Sequence, residues 1–155
     1  MTEFTKNSKR FSKHTKKINL ENKNLQVAKE FAKILRDNIK GIKTLGWDIE
    51  EYGKSQISIN VEDFKKAPLY LIYETAKNEA TKLGVKITGS EIVGLAPKEA
   101  MLDTAKFYLN KEGRITMGMQ MKDIMDVAIN NLGLNDLKPF IYNQKVLEIK
   151  QKQGD

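Results

Sequence analysis

Few residues of this 155-residue chain are of a type and spacing that could do chemistry. Thr88-Gly89-Ser90-Glu91-Ile92-Val93-Gly94 combines two glycines with a hydroxyl and a carboxylate. It lacks the lysine and spacing of a phosphate loop and the three-glycine dinucleotide fingerprint, so by itself it reads as a kinked strand. Glu91 and Asp63 could work as acid and base only if the fold joined them, and lone carboxylates are more often surface or capping groups. The single histidine, His14, lies in a basic stretch, where a solvated imidazole is commoner than a catalytic one. Cysteine is absent, which excludes disulfides, thiolate nucleophiles and thiolate metal sites. Met117, Met119, Met121 and Met125 read as adaptable packing rather than as a metal site. These residues yield no catalytic group and no metal ligand set.

Elements to position any such groups can be read from periodicity. A short extended piece over 16–20 precedes an amphipathic helix over 22–40, with Leu25, Ala28, Phe31, Ala32 and Leu35 at three- and four-residue spacing and Gly41 beyond its end. Two period-two segments, 44–50 and 56–62, flank the turn Tyr52-Gly53-Lys54 and predict a β-hairpin. Pro68 opens a second helix whose stripe is Leu69, Ile72, Tyr73, Ala76 and Ala80, stopped by Gly84. A strand over 85–95 and a helix from Pro97 to about Leu109 follow, then a helix from about Met117 to Leu132 ended by Gly133. The remainder to Lys150 is a turn with Pro139 and an ill-defined last segment. The order predicts an α+β fold, a ferredoxin-like βαββαβ sandwich with additional C-terminal helices, in which both main helices cover one face of a four-stranded sheet. Residues 1–15 are expected to form a basic, flexible extension, 16–150 the domain and 151–155 a tail.

Alternation assigns Ile18 and Leu20, then Leu45, Trp47 and Ile49, then Ile57, Ile59 and Val61 to the side beneath the helices. The open side then presents Lys17 and Asn19, Gly46 and Asp48, Ser58 and Asn60, and from the fourth strand either Lys86 and Thr88 or, past a kink at Gly89, Ser90. A solvated sheet face is the plain alternative, since antiparallel sheets often leave one side to water. Asn19, Ser58 and Asn60 suit contact with a polar planar ligand or a partner domain better, because they donate and accept without a charge to desolvate. RNA-binding sheets of this build stack bases on aromatics of the two central strands. Here the only strand aromatic, Trp47, is expected on the helix side, so no specific nucleic-acid binding is expected.

The net charge of +7 is concentrated in the first 17 residues, where Lys6, Lys9, Arg10, Lys13, Lys16 and Lys17 face only Glu3. That segment could touch phosphates weakly and in a salt-sensitive way, while the rest is nearly balanced. No apolar run approaches the roughly 18 residues of a membrane span and the amino terminus lacks a signal-peptide core, so a cytoplasmic protein is expected.

Several blocks in order carry a resemblance: Leu45-Gly46-Trp47 with Asp48-Ile49-Glu50-Glu51; Gln56-Ile57-Ser58-Ile59-Asn60-Val61 with Asp63-Phe64 and Pro68-Leu69; Gly89-Ser90-Glu91-Ile92-Val93-Gly94-Leu95 with Pro97; and Leu132-Gly133-Leu134 with Pro139-Phe140. Over about 18–150 the sequence resembles the C-terminal subdomain of the glutamate formimidoyltransferase family, which includes the transferase part of formiminotransferase-cyclodeaminases. The resemblance implies transfer of a formimino group from N-formimino-glutamate to tetrahydrofolate, the co-substrate, held between two subdomains. The catalytic histidine belongs to the N-terminal subdomain, which has no counterpart here, so the chain is expected to be inactive alone. Its partners would be folate and a separate N-terminal subdomain, or a second copy of itself. The alternative is a non-catalytic interaction domain that uses the same face. Arg10, Asn19, Ser58, Asn60, Gly89, Ser90 and Glu91 are the candidate folate contacts. In the first strand the family is largely apolar and ends Asn-x-Asn-Leu after a Gly-Ala-Arg segment. Here Arg10, Asn19 and Leu20 match, Lys17 replaces the first Asn, and Lys13, His14 and Lys16 stand where apolar residues are expected.

Overall fold

A computed structural model of the chain describes residues 14–149. Arg10 and nearly all of the expected basic extension lie outside them. Four strands, β1 (His14–Leu20), β2 (Ile42–Ile49), β3 (Lys54–Val61) and β4 (Ile87–Val93), form one sheet in the order β2-β3-β1-β4. All three pairings are antiparallel, and the order places β1 and β3 at the centre. The helices are α1 (Leu25–Asn38), α2 (Leu69–Leu83), α3 (Lys98–Lys111), α4 (Met121–Asn131) and the short α5 (Tyr142–Lys145). This is the expected α+β sandwich with C-terminal helices, and its strand order is that of a split βαβ fold. No helix among the described residues is long and apolar enough to cross a membrane.

Local chemistry explains the elements. Asn24 caps α1 by accepting from the Val27 N–H, and Ala28, Phe31, Ala32 and Leu35 bury the stripe that the spacing predicts. In α2 all five expected stripe residues are buried, and Gly84 closes the helix in the left-handed conformation. Gly53, at φ 61°, makes the β2–β3 turn. α3 extends the helical layer beside α2, where Tyr70 and Phe107 stack with centroids 4.3 Å apart and Tyr108 donates to Glu74 at 2.8 Å. Glu148 accepts from the Lys98 N–H at 2.7 Å and so places a carboxylate at the first turn of α3. The segment without a clear period forms α5 and a parallel bridge from Val146 to Ala96.

Two expectations are corrected. Helix α4 begins at Met121 rather than Met117 because Gly118 sits at φ 82°, which leaves Met117 84% exposed. Strand β2 faces the opposite way from its apolar alternation. Ile42, Thr44, Gly46 and Asp48 lie beneath α1, while Leu45 and Trp47 point to the open side. The cause is at Gly46, where a Cβ would stand 2.5 Å from the carbonyl carbon and oxygen of Ala28. The α1 backbone rests directly on β2, and only glycine fits between them. Thr44 Oγ1 donates to the Ala32 carbonyl at 2.6 Å, and the Asp48 carboxylate accepts from Ser55 Oγ.

Candidate functional site on the open sheet face

The open face is built from alternate residues of four strands. Cross-strand partners point the same way, so the registers place Lys17 beside Ser58 and Glu91, Asn19 beside Gln56 and Gly89, and Trp47 beside Gln56. A cleft of about 430 Å³ opens on this face between Lys17, Trp47, Gln56 and Glu91, the turn residues Glu50, Glu51 and Tyr52, and a wall made by Leu137 and Lys138. That volume lies within the range of small-molecule sites. Lys17 Nζ stands 4.9 Å from the Trp47 ring centroid, a cation over an aromatic face.

A one-directional hydrogen-bond chain runs beside the cleft. The Trp47 indole N–H donates to Gln56 Oε1 at 2.8 Å, Gln56 Nε2 to Asn19 Oδ1 at 2.7 Å, and Asn19 Nδ2 to Asp136 Oδ2 at 3.1 Å. Thr88 Oγ1 also donates to Asp136, at 2.6 Å, and Lys54 Nζ donates to Thr88 at 3.1 Å while lying 3.9 Å from the Asp136 carboxylate. Asn19 and Gln56 are buried, and the Asp136 side chain is only 18% exposed. The amides spend their hydrogen-bonding capacity on one another, so two buried polar residues sit in the sheet without an unmet donor or acceptor.

The wall owes its position to β4 and the segment after α4. The Ser90 N–H donates to the Gly133 carbonyl at 3.0 Å, Ser90 Oγ donates to the Leu132 carbonyl, and a Cβ on Gly89 would collide with Asp136 Cβ and the Gly133 carbonyl, both at 2.5 Å. Gly89 and Ser90 therefore let this segment close over the edge of the sheet.

Of the expected contact residues, Asn19, Ser58, Asn60 and Glu91 share the open face, with Glu91 and Lys17 lining the cleft. Asn60 is exposed and accepts from Thr15 Oγ1 at 2.9 Å, and Ser58 is half-buried. Ser90 is corrected: it pairs with Ile18, points to the helix side and is buried, because β4 alternates through Gly89 without bringing residue 90 to the open side. Gly46 and Asp48 likewise leave the sheet's open face with the reversal of β2. That reversal also moves Trp47 onto the open side, so its expected place beneath the helices is overturned. It stands on the edge strand β2, and the open-side residues of the central strands, Thr15, Lys17, Asn19, Gln56, Ser58 and Asn60, include no aromatic. Gln56 and Asp136 were not singled out by sequence. Gln56 stands two residues before Ser58 and so shared its alternation, whereas Asp136 lies in a loop without a period.

Lys16 occupies one of the positions where the resemblance calls for an apolar residue, and the structure gives it an apolar setting. Its side chain is fully buried among Ile18, Ile59 and Ile92, its Nζ has no hydrogen-bond partner, and it lies 4.9 Å from the Tyr73 ring centroid. Burial without compensation lowers its pKa to about 7. Among the described residues no group of three or more His, Asp or Glu could hold a metal ion.

Known proteins place this arrangement in context. Formimidoyltransferase-cyclodeaminase of Gallus gallus is 35% identical over 117 residues, covering 76% of this chain and 21% of the relative. The Rattus norvegicus protein of that name is 36% identical over 110 residues, with 71% and 20% covered. Glutamate formimidoyltransferase of Streptococcus pyogenes serotype M1 is 40% identical over 98 residues, with 61% and 33% covered. These alignments reach only a fifth to a third of the relatives' length. The family model for the formiminotransferase domain matches residues 5–152. A match over nearly the whole chain, on a sheet that has the expected strand order, means that this chain belongs to the formiminotransferase domain family.

Proposed function

We propose that this chain supplies the folate-facing half of a formimidoyltransferase site, acting with an N-terminal subdomain that carries the catalytic histidine. The assembled site would transfer the formimino group of N-formimino-glutamate to tetrahydrofolate, and the chain alone would be inactive. The observation that carries the proposal is the cleft on the open face. It offers an aromatic face at Trp47, cations at Lys17 and Lys138, and acidic residues at Asp48, Glu50, Glu51 and Glu91, which suits a planar ligand that donates hydrogen bonds from ring and amino nitrogens and carries an anionic tail within reach of the lysines. Asn19 and Gln56 support the floor. Ser58 and Asn60 extend the polar surface beyond the cleft, and Arg10 and Gly89 remain proposed contacts on the strength of the resemblance. Catalysis by positioned acid and base groups needs both halves to orient the two substrates.

A specific observation also supports a protein contact on the same face. Leu45 is 59% exposed and Trp47 36% exposed, side by side on the outer strand β2. We assign Leu45, on the outer part of this strip, to the N-terminal subdomain, and Trp47 with the cleft beside it to folate. Calorimetric titration with folinate, with and without the N-terminal subdomain, tests the assignment. Saturable heat that strengthens when both halves are present is expected. Absence of heat in both cases, together with self-association of the chain, would favour the alternative of a non-catalytic interaction domain.

A further inference from the structure

We infer that Asp136 is the positioning residue of the cleft, fixing the indole of Trp47 from three hydrogen bonds away along the chain Trp47–Gln56–Asn19–Asp136. This rests on the reading of the cleft as the ligand surface, and it adds a residue that neither the resemblance nor the spacing of motifs points to.

Carboxamides can be turned end for end, so a run of two amides between two terminal groups has two donor senses. A carboxylate only accepts. With Asp136 at one end, Asn19 must present its NH2 there and its oxygen to Gln56; Gln56 must then present its NH2 to Asn19 and its oxygen outward. The only group at that outer end is the Trp47 N–H, which only donates, and it meets Gln56 Oε1 at 2.8 Å. The negative charge at the inner end and the indole at the outer end thus select the same sense, and burial of the central Gln56–Asn19 link strengthens it.

Asp136 is also coupled to the wall of the cleft. Asp136 immediately precedes Leu137 and Lys138, which line the same cleft as Trp47. Its carboxylate is tied to β1 through Asn19 and to β4 through Thr88, and it stands 3.9 Å from Lys54 at the start of β3. One side chain therefore sets both the width of the cleft and the orientation of its aromatic surface. Gly89 is required by the same arrangement, since a side chain there would occupy the space of Asp136 Cβ.

The chain contains a single tryptophan, so its indole N–H gives one resonance and its emission reports one site. The experiment measures indole hydrogen exchange and acrylamide quenching in the full chain without folate, so its outcome is independent of whether folate binds. Asp136→Ala is expected to speed indole exchange roughly tenfold and to increase quenching, and Asp136→Asn, which keeps an acceptor oxygen, to speed exchange only about threefold. Asn135→Ala is the control. It removes a different hydrogen bond in the same segment, that from the Phe140 N–H to Asn135 Oδ1, and is expected to leave the indole unchanged. Unchanged exchange in a folded Asp136→Ala protein would overturn the inference, as would equal acceleration by Asn135→Ala. If Asp136→Ala does not fold, Asp136→Asn decides: wild-type exchange in that variant overturns the inference.

Discussion

Lys16 and Lys17 are neighbours on β1, point to opposite faces of the sheet, and each holds its ammonium 4.9 Å from an aromatic ring centroid, Lys16 over Tyr73 in the core and Lys17 over Trp47 in the open cleft. The same residue type has opposite consequences on the two sides. Outside, Lys17 is only partly buried, and water shares its charge with the ring. Inside, Lys16 Nζ has no hydrogen-bond partner, and the cost of burying a charge falls on the stability of the fold.

Replacement of Lys16 should therefore stabilise the protein. Lys16→Met keeps the length of the stem, removes the buried amine and supplies the apolar character that the resemblance calls for at this position. A gain on the order of 3 kcal/mol at neutral pH is expected in urea denaturation, a conservative reading of a pKa displacement at about 1.4 kcal/mol per unit. A destabilised Lys16→Met variant would show that the amine is held by a favourable contact.

Stability of the natural chain should also depend on pH in a particular window. The folded-state pKa of Lys16 is lowered from 10.5 to about 7, so between those values the unfolded chain binds more protons than the folded one. Unfolding free energy should rise as pH increases from about 7 towards 10.5, and the penalty should be fully present below 7. Tyr73, the ring beside Lys16, is pushed up to about 12 by burial first and then by Asp136 and Glu74, so it stays neutral across this window. Urea midpoints at pH 6.5, 8 and 9.5 measure the slope, and Lys16→Met should flatten it.

Gly46 should tolerate no side chain. Gly46→Ala sets a methyl 2.5 Å from the Ala28 backbone, with no flexible side chain there to yield, so α1 must lift from β2. A loss of about 3 kcal/mol is expected in chemical denaturation, at the upper end of over-packing effects. A change below about 0.5 kcal/mol would mean that the helix is not seated on β2.

Leu45 offers the converse case. With 59% of its surface exposed, Leu45→Glu should change stability by no more than about 0.5 kcal/mol. It should nevertheless abolish the proposed association with the N-terminal subdomain, as measured by sedimentation of the mixed halves, because a charge would enter the apolar contact. Undiminished association would move the partner surface elsewhere.

What the sequence could and could not show follows from the physics of each element. The stripe of α2 and the alternation of β3 were legible because each buries one face against a continuous partner, and period then records burial directly. Strand β2 misled because its apolar residues, Leu45 and Trp47, lie on the open side, while its contact with α1 depends on the missing side chain of Gly46. Absence of atoms leaves no hydrophobic signal. Lys16 alternates with Ile18 and Leu20, so its inward direction was readable, though its type argued against it. Asp136 reaches Asn19 across 117 positions of sequence, and no local pattern marks such a contact.

The most direct test of folate binding at the open sheet face is a folinate titration of the isotopically labelled chain in complex with the N-terminal subdomain, followed residue by residue in NMR spectra. Saturable shifts are expected at Lys17, Gln56, Glu91, Leu137 and the Trp47 indole, with little change around the exposed Ile115 and Met117. An active complex in which folinate leaves the resonances of the open sheet face unmoved would contradict binding there.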